Sequence, residues 1–312
     1  MKSIGTTKPF TSLWQWWQGR QEVMSGYSSR VLLETCVIGT FSALAAFIFN
    51  QGVIWLSAMR TQVCHQVPAW IALPLIGLAG GTMCGFLVKL SPEITGSGIP
   101  QVKAFLKGLP MKLDLRVAVS KLVGGIIALG IGLPLGREGP TVQLGASMAA
   151  LLGGIGYQSP RHRRQLIAAG AGAGLAAAFN APLAGVIFII EELLKEVSSL
   201  TIGAALAACF FAGIVSRWLG THSIDVPPSS IFPSAEFYMH DVPFCLLVGV
   251  VAGVLGSLFN NAIMACCKFN DDVLKTRYVL RVALAGLICG TVIALLPESF
   301  RDFAGIRELI FS

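Results

Sequence analysis

The sequence predicts an all-α protein that crosses a membrane several times, and composition, run length and an internal repeat carry that prediction. Of 312 residues, 54% are hydrophobic and 12% charged, and mean hydropathy is +0.72, more apolar than a soluble domain normally is. The apolar residues gather into runs close to or above the ~20 residues that a helix needs to cross a bilayer. Two consecutive runs early in the chain share residues, at a nearly constant offset, with two runs late in it.

Taken in order, residues 1–25 carry Lys2, Lys8 and Arg20 with Trp14, Trp16 and Trp17, and they lack the continuous apolar core of a cleavable signal peptide. A membrane-surface helix anchored by interfacial tryptophans fits them. Residues 31–59 make a first span, Arg60 to Val67 a short polar loop, and residues 68–90 a second span. Pro92, Gly96, Gly98 and Pro100 then break the chain before a segment ending near Leu109, too short to cross a bilayer. A span over 115–135 follows.

That span leads into Leu133-Pro-Leu-Gly-Arg-Glu-Gly-Pro140, where Gly136, Gly139 and Pro140 interrupt the apolar pattern and Arg137 and Glu138 place two charges in the break. Non-helical backbone at membrane depth is tolerated only where protein buries it or water reaches it, and charged residues there mark function by default. Pro140 suits a first helical turn and predicts a helix over 139–154 whose N–H groups and positive dipole end face the break. Such an end attracts an anion. Glu138 is an anion tethered at the same place, and one proton neutralises it. A carboxylate that competes with a mobile anion and gives way when protonated is the core of a proton-linked anion gate.

Tyr157 to Gln165 holds Arg161, His162, Arg163 and Arg164, and residues 166–179 are dense in Gly and Ala. Small residues let helices approach closely in lipid; a nucleotide-binding fingerprint is set aside because no strand precedes it and no partner acid follows. Asn180 and Pro182 break the chain again before a short helix over 182–195 that carries Glu191 and Glu192, and residues 200–218 make another span. Segment 219–241 has no Lys or Arg and carries Asp225, Glu236 and Asp241, whereas the N-terminus and the 103–116, 161–164 and 268–281 regions are basic. The positive-inside rule therefore places the basic set, N-terminus included, in the cytoplasm. The net charge of +7 belongs to this topology and not to a nucleic-acid surface. The eight cysteines show no metal-site spacing and read as small hydrophobes.

The repeat is specific. Gly39 and Phe49-Asn50 recur as Gly249 and Phe259-Asn260, an offset of 210 (249 minus 39, 260 minus 50), while Gly77-Leu78 and Gly81-Thr82 recur as Gly286-Leu287 and Gly290-Thr291, an offset of 209 (286 minus 77, 290 minus 81). Inverted repeats are the usual plan of secondary transporters. The counterpart of the 136–140 break would lie past Ser312, so the expectation is one complete repeat and about a third of another.

Gly96-Ser97-Gly98-Ile99-Pro100, Gly136-Arg137-Glu138-Gly139-Pro140, and the run from Gly174 to Gly185 followed by Glu191-Glu192 together resemble the CLC chloride channels and transporters, over about residues 25–297. The resemblance implies a CLC-type inverted-repeat bundle of tilted and broken helices. Residues 1–30 would be a cytoplasmic segment, 31–218 the first repeat, 219–241 an extracytoplasmic loop and 242–312 the first two spans of the second repeat. Gly96, Ser97, Gly98 and Ile99 would hold a central anion, the Ser97 hydroxyl included. The N–H groups of Arg137, Glu138 and Gly139 would hold an outer one, with the Glu138 side chain as gate. Glu192 matches the inner proton-transfer glutamate of the exchangers, and Ser97 at the selectivity position resembles the chloride-preferring members. Gln101 departs from a commonly acidic position. The third anion-binding motif and the pore tyrosine belong to the second repeat.

The expected function is therefore chloride/proton antiport with a glutamate gate, in a chain that is a homodimer when full length. A passive chloride channel is one alternative. Another is a non-transporting fragment, or half of a split transporter that needs a second-repeat partner chain. No enzyme activity, cofactor or nucleic acid is expected; chloride and protons are the substrates, and lipid is the surroundings. An intramembrane protease is disfavoured because no histidine lies in an apolar span to activate Ser97.

Overall fold

The computed structural model describes residues 29–153, 159–195, 198–220, 238–272 and 278–297. The interfacial helix expected near the N-terminus, most of the acidic 219–241 segment, and Lys275 and Arg277 of the 268–281 region lie outside the described residues.

Among the described residues every regular element is helical. Helices α1 (Ser29–Gln66) and α2 (Ala69–Leu90) are followed by a 3-10 turn (Pro92–Ile94), α3 (Ile99–Leu106), α4 (Leu115–Gly130) and α5 (Glu138–Leu152). Then come α6 (Pro160–Phe179), α7 (Pro182–Phe188), which runs on as a π-helical segment (Ile189–Leu194), and α8 (Ser199–Trp218). A second 3-10 turn (Met239–Asp241), α9 (Val242–Asp272) and α10 (Tyr278–Leu295) complete the order. Five of the described helices, α1, α2, α8, α9 and α10, are long and apolar enough to cross a membrane.

Three expected boundaries move, each for a local reason. Of the polar loop expected over Arg60 to Val67, all but Val67 forms the last turns of α1. None of residues 60–66 is Gly or Pro, and Pro68 is the first residue there that cannot continue a helix. The basic cluster 161–164 is the first turn of α6, because the Ser159 hydroxyl accepts the His162 N–H at 3.3 Å and Pro160 occupies the opening position. The span expected over 115–135 stops as a helix at Gly130, and Gly132 follows at φ +94°.

The chain forms two compact units. The first comprises residues 1–52, 93–125 and 136–223. Its interior mixes many alanines and glycines with larger residues such as Ile38, Phe49, Leu106, Leu144, Leu166 and Ile189. Lipid tails are as apolar as these side chains, so close backbone packing, not transfer from water, must hold such helices together. A Cβ on Gly174 of α6 would lie 3.1 Å from the Thr141 carbonyl carbon of α5, and one on Gly172 would lie 2.8 Å from the Gly185 oxygen of α7. Likewise Gly39 of α1 admits the Ala208 backbone of α8, which would stand 3.2 Å from an added Cβ.

The second unit comprises residues 53–92, 126–135 and 224–312. Here α2 packs on α10 through the residues that the repeat makes equivalent. A Cβ on Gly77 would lie 2.9 Å from the Gly286 carbonyl carbon, and one on Gly286 would lie 2.9 Å from that of Gly77. Equivalent residues meeting each other is the self-complementary contact of a two-fold relation, so the repeat read from spacing is also a packing fact. Helix α9 belongs to the same unit and is exposed along nearly all its length, with nothing within 4 Å of a Cβ on Gly249, Gly253 or Gly256.

Candidate functional site

The stretch between the 3-10 turn and α3 reverses direction through Gly96 (φ +73°) and Gly98 (φ +107°), left-handed values that cost an L-residue about 1–2 kcal/mol. Three side chains hold this loop from below. Lys121 of α4, 4% exposed, donates from Nζ to the carbonyls of Ile94 at 2.9 Å and Gly96 at 2.8 Å. Gln143 of α5, fully buried, donates to the Glu93 carbonyl at 2.9 Å. The Gln101 amide of α3 donates to the Thr95 carbonyl. Ser97 rides on this support with its side chain exposed.

The loop lies directly against the first turn of α5. A Cβ on Gly98 would stand 2.7 Å from the Gly139 carbonyl oxygen, and a Cβ on Gly139 would stand 2.9 Å from Ser97 Cβ. Glycine at both places lets the two backbones touch, so the starts of α3 and α5 adjoin. Each start presents N–H groups with no intrahelical acceptor and a partial positive charge of about half an electron. In α5 the Thr141 N–H returns to the Arg137 carbonyl at 3.3 Å and its hydroxyl donates to the Glu138 carbonyl at 2.9 Å, which fixes the turn on which Glu138 sits. Arg137 and Glu138 are exposed, and the Glu138 carboxylate folds back over Gly136, where an added Cβ would lie 3.1 Å from Glu138 Cδ. Gly96, Ser97, Gly98 and Ile99 thus stand beside Arg137, Glu138 and Gly139 in one cluster.

Glu192 stands apart from that cluster, on the π-helical segment, and is tied to it through α3. Its carboxylate accepts a hydrogen bond from Lys103 Nζ at 2.5 Å, the two side chains being 45% and 30% exposed. The Lys103 hydrogen bond and charge hold the Glu192 carboxyl below the usual carboxylate range, with a smaller contribution from Lys195. Helix α3 therefore begins at the Ser97 loop and ends at the partner of Glu192.

Sequence reasoning passed over Lys121 and Gln143, and it read Lys103 only as one of the basic residues of the 103–116 region. Lys121 had a usable signal: unlike Arg116 at the start of the same helix, it lies among apolar residues in the helix interior, and a charged residue inside a membrane segment marks function by default. Gln143 and Lys103 have none, since a polar residue one or two turns into a helix reads as an ordinary surface position.

A family model described as voltage gated chloride channel matches residues 80–312. The chain belongs to that family. It is 33% identical over 284 residues to the H(+)/Cl(-) exchange transporter ClcA of Salmonella paratyphi B, covering 86% of this chain and 59% of the relative; the protein of the same name from Salmonella arizonae matches equally well. Among solved structures, a slow cyanobacterial Cl-/H+ antiporter aligns with TM-score 0.76 at 32% identity, over 86% of this chain and 64% of that one. A eukaryotic CLC transporter aligns with TM-score 0.73 at 26% identity, over 90% of this chain and 51% of that one. The all-α architecture is that of the CLC family, and the protein is an integral multi-pass membrane protein. The chain spans about three fifths of the length of the curated relatives that it matches.

Proposed function

We propose that this chain carries the anion-holding and proton-transferring groups of a CLC-type chloride/proton exchanger, with Glu138 as the gate. The observation that carries the reading is the backbone contact between the Ser97–Gly98 loop and Gly139, which puts together two helix starts, one preceded by Ser97 and the other opening at Glu138.

A chloride ion has no directional bonding, so N–H groups, a hydroxyl and a helix dipole suffice to hold it. Ser97 Oγ and the N–H groups of Gly98 and Ile99 serve one position; those of Glu138 and Gly139 serve the next. Lys121, bound to two carbonyls of the loop, adds a buried positive charge beneath it and keeps Gly96 in its left-handed turn. The Glu138 carboxylate competes with chloride for the start of α5. Protonation removes its charge and its claim on those N–H groups, so proton uptake and anion entry alternate. Glu192 passes protons to and from the inner solution, and the N-terminus lies in the cytoplasm.

Flux measured in proteoliposomes tests this. Glu192→Gln is expected to leave anion flux while abolishing proton movement; proton transport unchanged by that substitution refutes the assignment. Absence of uphill proton movement under a chloride gradient in the parent protein selects a passive channel instead.

One observation supports a second reading, in which transport also requires a second-repeat helix. Gly39 receives the backbone of α8, yet its repeat counterpart Gly249 receives nothing within 4 Å, and the relatives are longer than this chain. On that reading the 312-residue chain transports only together with the remaining second-repeat segment. Equal flux with and without that segment excludes it.

A further inference from the structure

We propose that Lys103 is a latch on the inner proton site: it holds the Glu192 carboxylate against α3 in its charged form, and a proton enters Glu192 only when this ion pair opens. The proposal rests on the reading of Glu192 as the inner proton-transfer residue.

The geometry is that of a tether between two functions. Lys103 lies in the last turn of α3, the same short helix whose first turn follows the Ser97 loop, and its Nζ meets Glu192 Oε1 at 2.5 Å. A movement of α3 that accompanies anion binding at its start would lengthen or shorten the ion pair at its end. An opposite charge within about 4–6 Å favours the charged form of a carboxyl. The other groups facing Glu192 do not compete for this role. Lys195 follows on the same segment and acts more weakly, and Glu191 beside it is exposed. Helix α7 has no charged residue. Helix α6 meets the π-helical segment through Gly172 against Ile189, and its charged residues 161–164 sit in its first turn, where His162 pairs with Glu34 at 3.6 Å.

The step is a proton transfer only. With the pair closed, Lys103 donates a hydrogen bond to Oε1; when it opens, Oε1 takes a proton from hydronium in the inner solution and leaves a water molecule, and the neutral carboxyl no longer attracts the ammonium group. The latch therefore makes proton uptake from inside harder at neutral pH and ties it to the position of α3.

Infrared titration of the full chain in lipid vesicles tests the latch without requiring transport. The carboxyl band that disappears in Glu192→Gln reports the site. In Lys103→Met its midpoint is expected to rise, a gain in proton affinity, and Lys103→Arg is expected to restore the parent value. The parent protein supplies a second measurement that needs no Lys103 variant. Added salt screens an exposed pair and is expected to raise the midpoint. A midpoint that moves neither with salt nor in Lys103→Met overturns the proposal. A purely structural Lys103 would change thermal stability and leave the midpoint in place. Failure of the exchanger reading shows instead as proton flux that Glu192→Gln does not affect, a separate readout.

Discussion

Gly136 leaves room beside the α5 start, and the Glu138 carboxylate occupies it. A Cβ there would stand 3.1 Å from Glu138 Cδ, so Gly136→Ala is expected to push the carboxylate off the turn and weaken the pH dependence of anion binding, as Glu138→Ala should. Anion affinity measured against pH checks this, and a parent-like profile in Gly136→Ala contradicts it. Lys121→Met makes a second test. It leaves the Ile94 and Gly96 carbonyls without their donor, at about 1–3 kcal/mol for each unsatisfied group. Both a lower thermal midpoint and weaker chloride binding are expected; loss of neither means that the loop does not depend on this lysine. Ser97 and Glu138 could be read from sequence because glycine and proline punctuate the chain around them. Lys121 was harder to read, since its importance lies in two backbone carbonyls 27 and 25 positions away, and no local pattern encodes those partners.

Helices α5 and α6 cross at glycines, and the cost of filling one depends on what stands opposite. Gly174→Val drives a side chain toward the Thr141 carbonyl, whereas Gly253→Val meets nothing within 4 Å. Overpacking costs typically about 1–3 kcal/mol, so Gly174→Val is expected to lower the unfolding temperature and Gly253→Val to leave it unchanged. Equal effects on the melting curve would mean that the crossing is not the tight contact described. Element types and most boundaries were legible because apolar run length and Pro/Gly breaks encode them directly. The exceptions are instructive. Arg60 to Gln66 looked like a loop because those residues are polar, but polarity does not end a helix. The π-helical turn at 189–194 has no composition signal, since Ile-Ile-Glu-Glu-Leu-Leu is an ordinary helical sequence.

For the molecule as a whole, the repeat was legible from spacing, and its reality shows where Gly77 and Gly286 meet across α2 and α10. The proximity of Ser97 and Glu138, 41 positions apart (138 minus 97), was expected from the family resemblance and not from any local pattern; it appears in the backbone contact of Gly98 with Gly139. On the proposed function, that proximity makes one anion seat shared by two helix starts and contested by one carboxylate, which would link anion binding to protonation. Chloride titration by calorimetry across pH, on the parent protein and on Glu138→Ala, tests it most directly. If the carboxylate competes with the ion, parent affinity rises on acidification by about tenfold or more, equivalent to about 1.4 kcal/mol, while Glu138→Ala binds tightly at every pH. Parallel pH profiles for the two proteins, or no chloride binding by either, would rule out competition between Glu138 and chloride at the start of α5.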